Sequence, residues 1–147
     1  MTITRVFVLL CVALSFALSG CGGESDEERE REASKGRGEV TCTGSAVADP
    51  GLPAAFPQVE GVTYSEARDD GPTHVVNGYA DVELKDLYES YKRGFEDAQY
   101  DILFDEIEED DAEISYASAD EQSDGIVALR EACDDERVSI HITVRPK

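Results

Sequence analysis

The stretch RVSIHITVR, Arg137 to Arg145, sets Val138, Ile140, Ile142 and Val144 against Ser139, His141 and Thr143 in strict alternation. Successive side chains of a strand point to opposite faces, so a period of two predicts a strand with one covered face and one wet face. Strands of parallel sheets are buried on both sides and carry continuous apolar runs; this alternation belongs to an antiparallel sheet. Outward from it, Val62 to Arg68, His74 to Ala80, Tyr100 to Ile107, Ala112 to Ala117 and Gly125 to Ala132 also read as strands. Asp69-Asp70-Gly71-Pro72 is a turn sequence, and Glu108 to Asp111, Ser118 to Asp124 and Cys133 to Glu136 are short polar links of the kind an antiparallel meander uses.

Between the second and third of these strands, Glu83 to Gln99 carries Leu84, Leu87, Tyr88, Tyr91, Phe95 and Ala98 on one helical stripe. Asp81 is the expected N-cap, and Glu83 and Asp86 lie in the first turn, where the helix dipole favours acids. Gly94 inside the helix costs about 1 kcal/mol against Ala, which close packing onto a sheet would justify. The economical architecture is an α+β domain, an antiparallel sheet of about five or six strands with one main helix packed on one face. Upstream, Asp49-Pro50-Gly51-Leu52-Pro53 and Phe56-Pro57 predict an extended entry, pinned to the body by Phe56.

The chain has 147 residues, with 33 acids against 13 bases and a formal charge of -20. A phosphate-binding surface needs clustered Lys and Arg, and here the bases sit among acids, so no nucleic-acid partner is expected. The acid excess fits solubility or an affinity for cations and basic partners.

Met1 to Arg5 is a short basic start, followed by an apolar run from Val6 to Leu18 broken only by Ser15. As a helix that run would rise about 20 Å, short of the ~30 Å hydrocarbon core of a bilayer, which suits a signal-peptide core and not a spanning helix. Leu18-Ser19-Gly20-Cys21 then resembles the lipobox of bacterial lipoproteins, and it matches at every position of that motif. The resemblance implies cleavage ahead of Cys21, acylation of that residue, and a secreted protein held by lipid to the periplasmic or extracellular face of a membrane. Two or three acyl chains would make the attachment stable, since one alone is marginal. Such a chain divides into a signal peptide over residues 1–20, a lipidated Cys and flexible tether over 21–40, and one α+β domain over 41–147. The tether is rich in Gly, Ser, Glu and Arg and spans on the order of 25 Å as a coil.

Cys11 leaves with the signal and Cys21 takes lipid, so Cys42 and Cys133 remain as a pair, expected to form a disulfide in an oxidising envelope. A metal site built from Cys42, Cys133, His74 and His141 lacks the close ligand spacing such sites show.

The motif nearest to chemistry is Asp120 to Glu131, which places Asp120, Asp124, Gly125 and Glu131 at positions 1, 5, 6 and 12 of a calcium loop. Gln122 stands where Asp or Asn is usual, and the residues ahead of it, Ile114 to Tyr116, read as strand where an entering helix is needed. The competing reading is a hairpin turn with Gly125 opening a strand. The acidic run Asp105, Glu106, Glu108 to Asp111 reads as a solvated turn or a landing patch for a basic partner. The six tyrosines are expected mainly in packing. There is no GxSxG elbow, Gly-rich phosphate loop or HExxH, so neither enzyme activity nor a cofactor is expected. What the residues favour is a binding or accessory module of the cell envelope, whose wet sheet face or acidic turns meet a protein, a wall polymer or a small ligand. The alternatives are an envelope enzyme with an unfamiliar site and a calcium-binding module.

Overall fold

The computed structural model describes residues 38–134 and 136–147; the signal segment, Cys21 and the tether up to residue 37 lie outside the described residues. Strands β1 (Val62–Asp70) and β2 (Thr73–Ala80) form a hairpin and are followed by helix α1 (Leu84–Asp97). Strands β3 (Asp101–Ile107), β4 (Asp111–Ala117), β5 (Ser123–Arg130) and β6 (Val138–Pro146) follow. All six join one antiparallel sheet in the order β1-β2-β6-β5-β4-β3, and α1 packs on one face.

That order is not one continuous meander. After β2 the chain crosses the sheet through α1, starts again at the far edge and winds back, so that β6 closes against β2. The helix fits the crossing: its 14 residues rise about 21 Å, and the four strand spacings from β2 to β3 amount to roughly 19 Å. The most strictly alternating strand therefore ends up at the centre, where Val138, Ile140 and Ile142 are buried.

The helix stripe is placed as its spacing requires. Leu84, Leu87, Tyr88, Tyr91 and Phe95 are buried against Val76, Ala80, Ile114, Tyr116, Val127 and Leu129. Phe56 enters the same layer from the N-terminal side, its ring 5.3 Å from Phe95 and 5.7 Å from Tyr116, while Phe95 and Tyr116 stack at 4.5 Å. Tyr64 and Tyr91 join their hydroxyls at 3.1 Å, and burial pushes the Tyr91 hydroxyl up, so it stays protonated. At the β3 end, Tyr88 donates to the Asp105 carboxylate, and Lys92 Nζ lies 2.6 Å from Asp105 Oδ2.

Two local expectations change. Glu83, not Asp81, occupies the N-cap position, and it makes no side-chain cap bond; its carbonyl accepts the first helical bond, from the Leu87 N–H. Gly94 is small for the sake of the arm, not of the sheet, since a Cβ there would lie 2.6 Å from Pro57 Cβ.

Gly125 sits inside β5, where a Cβ would overlap the Thr143 carbonyl oxygen and press on the Tyr116 hydroxyl, which donates to that same carbonyl. A backbone atom has no rotamer through which to yield. Gly125→Ala is therefore expected to destabilise the protein by about 3 kcal/mol, read as a lowered urea midpoint with an unchanged slope.

Candidate binding surface

The face of the sheet away from α1 presents Val75, Asn77 and Tyr79 of β2, Ser139, His141 and Thr143 of β6, Ile126, Ala128 and Arg130 of β5, and Ser115 and Glu113 of β4. Alternation predicts that all of this face is wet. One half is covered instead by the segment 38–47, an arm that crosses β6, β2 and β1 before turning round the β1 edge.

The arm explains the buried polar residues on that half. Ser139 Oγ accepts the Thr41 N–H at 2.7 Å, and Gly38 lies over the His141 ring. Asn77, fully buried, takes the His141 Nδ1–H on its oxygen at 2.7 Å and donates to Glu66 at 3.1 Å. Arg68 closes the chain, 3.0 Å from Glu66 and 3.3 Å from Glu39 of the arm. Tyr79 donates to the Gly44 carbonyl, and Val47 N–H donates to the Tyr64 carbonyl at the β1 edge. The Cys42–Cys133 disulfide fastens the arm to the loop between β5 and β6. Gly38 and Glu39 thus already belong to the packed arm, ahead of the boundary at residue 40 that composition suggests.

The arm then reaches the helix side. Pro50 offers its carbonyl to His74 Nε2 at 2.8 Å, and Asp69 faces His74 Nδ1 at 2.7 Å. Both partners are acceptors, so a doubly protonated ring satisfies both bonds. The Pro50 carbonyl first, and Asp69 second, hold His74 above the usual imidazole range. His141 is shifted the other way, by burial first and by the Arg68 cation second.

The other half of the face is bare. It is an open expanse with a depression of about 220 Å³ lined by Leu103, Ser115, Ile126 and Thr143, with Asp124 and Arg145 at its rim, and a smaller hollow among Glu106, Glu113, Ala128 and Arg130. Beside it the register of β3 slips between Ile102 and Phe104. That bulge leaves Leu103 63% and Phe104 49% exposed, the largest values among the described large hydrophobic residues. Sequence reading placed the strand but missed this pair. The available signal was Ile102-Leu103-Phe104 itself, because three successive apolar residues cannot all face one side of a strand.

The calcium-loop residues are not brought together. Asp120 makes a local turn, accepting from Ser118 Oγ at 2.6 Å and from the Gln122 N–H at 3.1 Å, contacts that hold its carboxyl below the usual range. Asp124 lies near the start of β5 and Glu131 just past its end, separated by about 23 Å of extended chain. Among the described residues no group of three or more His, Cys, Asp or Glu could hold a metal ion. The helix C-terminus, the arm and the β4–β5 turn enclose a second cleft of about 360 Å³ lined by Ala54, Ala98, Tyr100, Ser118 and Asp120. Ser118 and Asp120 are already joined to each other there, while Tyr100 and Gln122 complete the lining. In the acidic run, Asp105 turns inward to Lys92, whose ammonium holds its carboxyl low, while Glu106, Glu108, Glu109 and Asp110 stay exposed.

No protein-family model and no curated protein matches the chain.

The two histidines give docking of the arm opposite pH limbs. His74, raised in the folded state, contributes fully below about pH 6.5 and loses its contribution as pH climbs through its folded value. His141, depressed, contributes above about pH 6.5 and loses its contribution as pH falls through its folded value. Protection factors of the Thr41 and Val47 amides are expected to peak near pH 6.5, and His74→Gln is expected to flatten only the alkaline limb.

Proposed function

We propose that this chain is an exported lipoprotein, cut ahead of Cys21 and acylated there, whose body is a binding module of the cell envelope. One observation carries the reading: the body closes with a Cys42–Cys133 disulfide, a bond that persists in oxidising compartments, in a chain whose first 21 residues resemble a lipoprotein signal. Among the described residues no helix is long and apolar enough to cross a membrane, and the reading assigns attachment to lipid on Cys21.

The binding role is favoured by the shape of the bare half-face. A concave cleft with converging polar groups suits a small ligand or catalysis, whereas an open sheet rimmed by exposed apolar side chains suits contact with a protein or wall polymer. The bare face has the second form, and Leu103 and Phe104 supply the apolar rim. The strong negative charge turns the body away from nucleic acid and from anionic headgroups, and toward basic partners.

Mass spectrometry of the protein isolated from its own membranes tests the anchor. The expected result is a chain beginning at Cys21 with acyl chains on that residue, and Cys21→Ser is expected to leave the signal uncut. An intact Met1 with a free Cys21 thiol would overturn the reading.

A further inference from the structure

The two edges of the sheet are treated differently. The outer edge of β1 is covered by the arm, through the Val47 N–H bond to the Tyr64 carbonyl and the approach of Gly44 to Ser65. Beyond β3, among the described residues, no strand pairs. An uncovered edge is a template for another strand, and proteins ordinarily blunt such edges with charge, bulges or cover. β3 has a bulge, but the bulge turns Leu103 and Phe104 outward and does not hide them.

Charge decides what can occupy that edge. From Asp101 to Asp111 the chain contains no Lys or Arg, and Asp101, Glu106, Glu108, Glu109 and Asp110 are exposed. Pairing β3 with β3 of a second copy would bring those carboxylates against their own kind, and like charges directly opposite each other in a sheet repel. The same carboxylates attract a segment that carries Lys or Arg.

Resting on the binding-module reading above, we propose that the outer edge of β3 takes an extended, Lys- or Arg-bearing segment of a partner protein as a seventh strand. Backbone hydrogen bonds to β3 supply the pairing, and alternate side chains supply specificity. Apolar side chains of the segment lie on Leu103 and Phe104, beside the depression over Ser115 and Ile126. Its basic side chains meet Glu106, Glu108 and Glu109.

The test uses the protein as isolated, in neutral detergent, with two labelled twelve-residue peptides as probes, one alternating Val with Lys and Arg and the other alternating Val with Glu. Binding of the basic peptide alone is expected, roughly ten-fold tighter at 50 mM than at 300 mM salt, with slowed hydrogen exchange confined to β3. Leu103→Ser combined with Phe104→Ser should weaken binding by about ten-fold. Glu106→Lys combined with Glu108→Lys should abolish binding of the basic peptide and admit the acidic one; amide spectra unchanged outside β3 would show that both variants fold. Absence of binding, equal binding of the two peptides, or self-association through β3 at low salt would overturn the proposal. A footprint on Ile126 and Thr143 with β3 unprotected would overturn strand addition while leaving the binding face in place. An unmodified Cys21 would undo the anchor and leave strand addition untouched.

Discussion

The bond between Cys42 and Cys133 fixes a strap across a sheet that has one face too many. A six-stranded sheet has two faces, and among the described residues one helix covers one of them. Ordering an extended arm costs backbone entropy at every residue, and its few hydrogen bonds to the sheet do not offset that cost. The disulfide joins residues 91 apart in sequence and so removes loop-closure entropy from the unfolded chain. Phe56, at the other end of the arm, is buried between α1 and the sheet. Held at both ends, the middle of the arm is confined to the surface it covers, and polar residues beneath it can be buried without being orphaned.

This confinement explains why Asn77 and Ser139, chemically suited to a wet face, sit almost without solvent contact. Each has its partner: His141 and Glu66 for Asn77, the Thr41 amide for Ser139. A buried amide left unpaired would cost about 1–3 kcal/mol. Removing the arm therefore costs more than its own contacts, because water must then serve every group it covered. Only Ser65 Oγ, beside Gly44 at the β1 bulge, is buried without a partner among the described residues.

Much of the fold was legible because local physics and tertiary structure agree. The alternation of β6, the stripe of α1 and the turn between β1 and β2 each follow from a repeat or from turn chemistry, and each appears where it was expected. Phe56 was legible as a pin because an apolar ring in a Pro-rich arm has nowhere else to go. Strand order was not legible. Periodicity says which face a residue takes and nothing about which strand is its neighbour, and the crossing through α1 is set by a match of lengths. The half-covered face was missed because an arm such as Gly38 to Val47 has no period; its packing depends on a cross-link and on the shape of a surface built from distant segments. The exposure of Leu103 and Phe104 was missed for a related reason, since a bulge moves them outward without changing composition.

The distribution of charge follows from the scarcity of bases. Several of the few that the body holds join separate pieces of chain: Arg68 links β1 to the arm, Lys92 links α1 to β3, and Arg137 lies 4.8 Å from the Tyr79 ring. Solvent screens exposed contacts of this kind, so they orient segments more than they stabilise them. Along β3 and the turn after it, Asp101, Glu106, Glu108, Glu109 and Asp110 are exposed and no Lys or Arg interrupts them in sequence. Self-repulsion keeps copies apart at that edge, while the backbone groups that would pair them remain in place. For the proposed seventh strand, specificity would come from repulsion at least as much as from attraction, because an open backbone edge discriminates little and the charge beside it narrows the choice.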